Sequence, residues 1–126
     1  MFEADLASRS LGIEVREVTD GRAVVSMRVR DTMVNGHGMA HGGYVFLLAD
    51  TAFAGACNSY GPVTVASGAE ISFVASARLD DLLIATAEAR TRYGRNGIYD
   101  VTVHREEPDG RTVIAEFRGR SREVSR

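Results

Sequence analysis

The chain has 126 residues, 44% apolar and 25% charged, within the ~100–200 residues that usually build one core, so a single domain spanning 1–126 is expected. A net charge of −2 argues against nucleic-acid binding driven by phosphate neutralisation. The only cysteine, Cys57, forbids an internal disulfide, and the longest apolar run, residues 44–57, is shorter than the ~20 residues of a bilayer span and contains Asp50. The N-terminus, MFEADLASRSLG, carries acids and no apolar run, unlike a signal peptide. Together these point to a cytoplasmic protein with neither a membrane nor a nucleic acid as partner. All fifteen basic residues are arginines, which suits bidentate anion contacts or reflects a compositional bias of the source genome.

In chain order, residues 4–11 suit a short helix with Leu6 and Leu11 on one side. Residues 22–30, RAVVSMRVR, alternate: Val25, Met27 and Val29 face one way and Ser26, Arg28 and Arg30 the other, the pattern of a half-buried strand. Residues 32–42 form a glycine-rich loop. From Gly43 to about Ser59 apolar residues fall on every side, which predicts a helix buried all round, closed by Gly61-Pro62. Strands follow at about 64–74, 82–92, 97–105 and 111–122. In the third of these Tyr99, Val101 and Val103 alternate with Asp100, Thr102 and His104. In the last, Val113, Ala115 and Phe117 alternate with Ile114, Glu116 and Arg118. Pro108-Asp109-Gly110 makes the last two a hairpin. The expected architecture is α+β: one early strand and four later ones in an antiparallel sheet around one long helix, the only element able to cover its apolar face.

Asp50 is the anomaly in that helix, because Phe46, Leu47, Phe53 and Ala54 surround it at helical spacing. A carboxylate there is costly to desolvate and its pKa should rise, whether it serves chemistry or ties up a core partner. Upstream, the helix begins at His41-Gly42-Gly43, where free backbone N–H groups favour negative charge as in an oxyanion hole. Glycines alone would signify only a tight turn. Combined with Asp50 on the same helix and Asn35 six residues before His41, they mark residues 35–50, NGHGMAHGGYVFLLAD, as the candidate site. Gly42 and Asp50 lie eight residues apart, roughly 12 Å along a helix at 1.5 Å per residue. One carbonyl cannot lie within hydrogen-bond reach of both, so if both act on it they come from two chains. An antiparallel pair of central helices, and hence a catalytic dimer, is expected.

The segments LGI at 11–13, NGHGMAHGGYVFLLADTAFAGACNS at 35–59, TVAS at 64–67, GIYDV at 97–101 and FRGRS at 117–121 together resemble the hotdog-fold thioesterases, in particular acyl-CoA thioesterases of the phenylacetic-acid-degradation (PaaI) type. The resemblance implies a hotdog fold and hydrolysis of CoA thioesters such as phenylacetyl-CoA or its hydroxylated forms, without a cofactor, in a homotetramer built from two dimers. It makes Asp50 the catalytic nucleophile or general base, and Gly42 the donor of the N–H that polarises the thioester carbonyl. Asn35 becomes an orienting residue, and His41 an aid to positioning or to the leaving thiolate. Gly43, at the same helix start, is expected to bind substrate, and Ser67 is the nearest candidate for a hydroxyl contacting the nucleophile or water. Members of that family often have a proline in the bend after the third strand and Gly-Asp before the next; here the bend at 74–81 reads VASARLDD, with no proline.

Arg92, Arg95, Arg118 and Arg120 are candidates for the CoA phosphates, there being no P-loop; each can equally be a solvated sheet-face charge. His37, His41 and Asp50 lack a clear third zinc ligand at suitable spacing, so no metal is expected, and Cys57 reads as core. Two other classes compete. A hotdog dehydratase or hydratase pairs a histidine with a helix carboxylate, which the HGG…Asp spacing fits poorly. A non-enzymatic acyl-CoA sensor generally carries a DNA-binding segment, for which this chain has no room.

Overall fold

The structure, a computed structural model, describes residues 2–124. After a single 3-10 turn, α1 (Leu6–Ser10) is capped by Asp5, whose side chain accepts from Ser8 N at 3.0 Å. Then come β1 (Glu14–Thr19), β2 (Arg22–Arg28), the long helix α2 (Gly42–Asn58), β3 (Thr64–Phe73), β4 (Leu82–Tyr93), β5 (Asn96–Glu107) and β6 (Gly110–Glu123). All strands are antiparallel, in the order β1-β2-β4-β5-β6-β3, and the sheet curls around α2, the hotdog arrangement. Among the described residues no helix is long and apolar enough to cross a membrane.

Close approach of helix to sheet follows from small residues on both. Ala49, Ala52 and Ala56 of α2 meet a sheet face on which Ala23, Ala85 and Ala87 are fully buried. The larger side chains fill what remains: Leu48 and Phe53 pack with Tyr99, Val101 and Phe117, and the Phe53 and Phe117 rings sit 5.8 Å apart. Burying a side chain such as Leu48 or Phe53 stabilises the fold by roughly 1.5–3 kcal/mol. The Phe53 ring lies so close to Gly119 that any side chain at 119 would overlap it.

Three expectations need correction. An additional early strand, β1, precedes β2; its six residues are all exposed, and Val15 and Val18 are separated by a bulge, so no period-two signal exists. Ile114, expected on the outer face with Glu116, is buried, because it is the unpaired residue of a bulge where Val103 pairs with Ala115 and His104 with Val113. His104 beside it is also buried, on the same side of β5 as Glu106 and within reach of Arg111. Finally, α2 is not buried all round: Gly43 is exposed, and Phe46, Leu47, Asp50, Ala54 and Asn58 remain half-buried along one stripe of the helix. At the start of the chain, α1 stops at Ser10; Leu11 packs on the core while Leu6 is exposed.

Candidate active site

The loop before α2 is organised by Asn35. Its Oδ1 accepts from the backbone N–H groups of His37 at 2.8 Å and Met39 at 3.2 Å, and its own N–H donates to Met39 O at 2.7 Å. With Oδ1 committed to two backbone donors, the amide NH2 is left without a partner among the described residues, ready to donate outward. Val34 and Ala40 bridge across the loop, Ala40 N donates to Ala77 O, and His41 N donates to Met33 O, so the chain enters α2 along a fixed path.

At the helix start the two glycines differ. His41 is the N-cap, and its Nδ1 accepts the Gly43 N–H at 2.9 Å. That bond uses up the Gly43 donor and sets the neutral His41 tautomer with hydrogen on Nε2. The Gly42 N–H has no backbone or side-chain acceptor among the described residues. The anion-favouring donor is therefore Gly42 alone, an asymmetry the HGG motif does not reveal.

Gly42 and Asn35 share one wall of a groove of about 210 Å³, whose other walls include Val45, Phe73, Ala75 and Ile114. Two residues with uncommitted N–H donors thus line one groove beside apolar surface, a composition that suits a site for a carbonyl and its apolar substituent. Sequence reasoning misses the groove walls Val45, Phe73 and Ile114; Phe73 is detectable only as an apolar residue at the end of β3.

Asp50 lies two turns further along α2, outside this groove, on the half-buried stripe. Burial raises its pKa above the usual carboxylate value, and the nearby Asp5 charge adds to the effect, with no hydrogen bond among the described residues to offset it. The N-terminal segment crowds this region: Ser8 Oγ and Thr51 Oγ1 share a hydrogen bond at 2.8 Å, and the Phe2 ring packs over Gly55.

The remaining predicted residues are dispersed. Ser67 is the extra residue of a bulge in β3, exposed, donating to Arg120 O at 3.2 Å. Arg95 is exposed in the β4–β5 turn, where its carbonyl accepts from Glu123 N. Arg118 stands on the outer sheet face in a bidentate pair with Asp100 at 2.7 and 2.9 Å, which holds the Asp100 carboxyl below its usual range. Arg120 pairs with Glu70 on the same face, and Arg92 stacks on the Tyr60 ring, 3.5 Å from its centroid. Cys57 is buried, its thiol pushed up to about 12 by desolvation, which suits packing and not nucleophilic chemistry. Among the described residues no group of three His, Cys, Asp or Glu could hold a metal ion.

Comparisons with known proteins match the sequence and the fold. Residues 37–111 match the family model of the thioesterase superfamily. The chain is similar to the acyl-coenzyme A thioesterase PaaI of Escherichia coli (strain K12): 41% identical over 124 residues, covering 98% of this chain and 86% of that protein. A solved structure of the E. coli PaaI protein from the phenylacetic acid degradation operon superimposes with a TM-score of 0.94, over 99% of this chain and 88% of that one. An asparagine-to-aspartate mutant of the phenylacetic acid degradation protein PaaI from Thermus thermophilus is 32% identical, with a TM-score of 0.87, covering 94% of this chain and 98% of that one. A Streptococcus mutans UA159 protein solved with acetyl CoA shares the fold at 24% identity, with a TM-score of 0.83 over 90% of each chain.

Proposed function

The chain belongs to the thioesterase superfamily, and from that membership we propose that it hydrolyses acyl-CoA thioesters, arylacetyl groups such as phenylacetyl and hydroxyphenylacetyl foremost. The observation that carries this reading is the unpaired Gly42 N–H beside the Asn35 amide at the mouth of an apolar groove. In the proposed reaction the thioester oxygen accepts from Gly42 N–H, with Asn35 Nδ2 as second donor. These bonds strengthen as negative charge develops on that oxygen. The Asp50 carboxylate either attacks the carbonyl carbon, giving a mixed anhydride that water cleaves, or removes a proton from the attacking water. By either route the C–S bond breaks, the CoA thiolate takes up a proton, and the acyl group leaves as a carboxylate. His41 fixes the helix start and offers Nε2–H toward solvent; Gly43 supports that geometry through its bond to His41.

Because Gly42 and Asp50 are eight residues apart on one rigid helix, roughly 12 Å, the catalytic unit in this reading is a homodimer in which each Asp50 serves its partner's Gly42. Two features support it. The stripe of α2 carrying Asp50 is left half-open by its own sheet. The two sheet edges also differ: β1 is short and charged, whereas β3 has ten residues and, with its flanks, exposes Val63, Val65 and Val74. A tetramer of two such dimers extends the same proposal. Arg95 and Arg118 remain candidates for the CoA phosphates, and a phosphate at Arg118 would have to displace Asp100. Ser67 is proposed to act near the acyl group only if the partner brings the site to β3.

The direct test measures free thiol released from phenylacetyl-CoA by the native protein and by Asp50→Asn. The expected loss in kcat is at least about 10³-fold, the scale seen on removing a nucleophile or base. Near-normal turnover by the mutant would overturn the mechanism.

A further inference from the structure

The groove wall contains one side chain out of keeping with its surroundings. Along β3 the side chains of Ile71 and Phe73 share the helix-facing side, opposite Phe117 and Ala115 of β6. Both partners are buried, yet Phe73 is 57% exposed because it closes no core gap at the sheet edge. Its ring instead lies against Gly42: a methyl group on that glycine would sit 3.0 Å from Phe73 Cζ and 3.3 Å from Cε1. Beyond it the groove is lined by small or aliphatic residues, Ala40, Val45 and Ala75 among them. An exposed phenyl ring is therefore held against Gly42, the residue whose N–H at the start of α2 lacks an acceptor among the described residues.

We propose that Phe73 is the specificity-determining residue for the acyl group, selecting short acyl chains that end in an aromatic ring. The inference rests on the thioesterase reading above and adds a recognition element to it. A carbonyl oxygen on the Gly42 N–H leaves the acyl carbons beside Phe73, and a ring one methylene from the carbonyl reaches the distance at which aromatic pairs stack offset or edge-on, with centroids about 4.5–7 Å apart. The protomer's share of the groove is about 210 Å³, and its lining of Ala40, Val45, Phe73 and Ala75 suits the apolar acyl group better than the charged CoA. A straight chain can fill the same space but has no π-face to pair with the ring.

The test compares kcat/KM for phenylacetyl-CoA and hexanoyl-CoA in native protein, Phe73→Leu, Phe73→Ala and Phe73→Tyr, with melting and sedimentation controls. The native ratio should favour the aryl ester and fall about tenfold in the Leu and Ala variants, mainly through KM, while Tyr keeps it. Leu retains apolar bulk, so it reads the loss of the ring even where Ala fails to fold or assemble. A native protein without aryl preference, or a ratio unchanged in Leu, overturns the proposal, whatever the absolute rates. The same pair of esters titrated calorimetrically into Asp50→Asn and Asp50→Asn/Phe73→Leu reads the preference without turnover. If native protein releases thiol from no ester, the thioesterase reading fails, and the calorimetric ratio still decides the role of Phe73.

Discussion

Asp50 sits where burial makes its charge costly. Desolvation first, then the Asp5 charge, push its pKa above the usual value of 3.8. Both proposed routes use the ionised form, so kcat should fall with decreasing pH along a limb whose midpoint lies above 3.8, and Asp5→Asn, which keeps the α1 cap, should move that limb to lower pH. The stability sign is opposite. Below the unfolded-state pKa the carboxyl is neutral in both states and carries no penalty; as pH rises through the raised folded-state pKa the folded form must ionise at a cost, and stability is lost. At neutral pH Asp50→Asn should therefore raise the melting temperature while abolishing turnover. A mutant both inactive and less stable would show that Asp50 is a structural partner. Asp50, Gly42 and Asn35 are legible in the sequence because each breaks a local rule: a charge in an apolar helix, glycines at a helix start, an Asx residue in a glycine-rich loop. The division of labour between Gly42 and Gly43 is not, because it depends on where the His41 ring turns.

Among the elements, α2 and strands β4, β5 and β6 can be read from period and turn chemistry, since each is long and largely half or fully buried, while β3 is long but mostly exposed. Strand β1 cannot: wholly exposed, it has no apolar alternation to show. The bulges are equally invisible, because one extra residue inverts the inside–outside pattern beyond it, as at Ile114. The bend between β3 and β4 shows a sequence departure with a structural meaning. Asp80 in that bend adopts φ of +73°, the only positive φ outside glycine among the described residues. The turn tolerates it because Asp80 N donates to Val29 O at 2.9 Å and its carbonyl accepts from Arg28 at 2.7 Å. Left-handed backbone costs a non-glycine residue roughly 1–2 kcal/mol, partly offset in glycine by chain entropy of about 0.5–1 kcal/mol. Asp80→Gly should thus stabilise the fold by about 0.5 kcal/mol and Asp80→Val destabilise it by about 1 kcal/mol, measured by denaturant titration.

At the scale of the whole molecule, one chain presents what the proposed function treats as two half-sites: a groove at the start of α2 and, two turns along it, a carboxylate without a hydrogen-bond partner among the described residues. The rigidity of the helix keeps them apart within a protomer, so in the proposed dimer a second copy completes each. Subunit complementation tests this most directly. Asp50→Asn and Asn35→Asp, each expected to be inactive as a homodimer, are mixed in equal amounts, dissociated and reassembled. If sites are shared, a mixed dimer has one site with both lesions and one with none. With random pairing half the dimers are mixed, so thiol release from phenylacetyl-CoA should return to about one quarter of the native value. If each protomer carries its own complete site, every site in the mixture retains one lesion, and the mixture will be no more active than the average of its two parents.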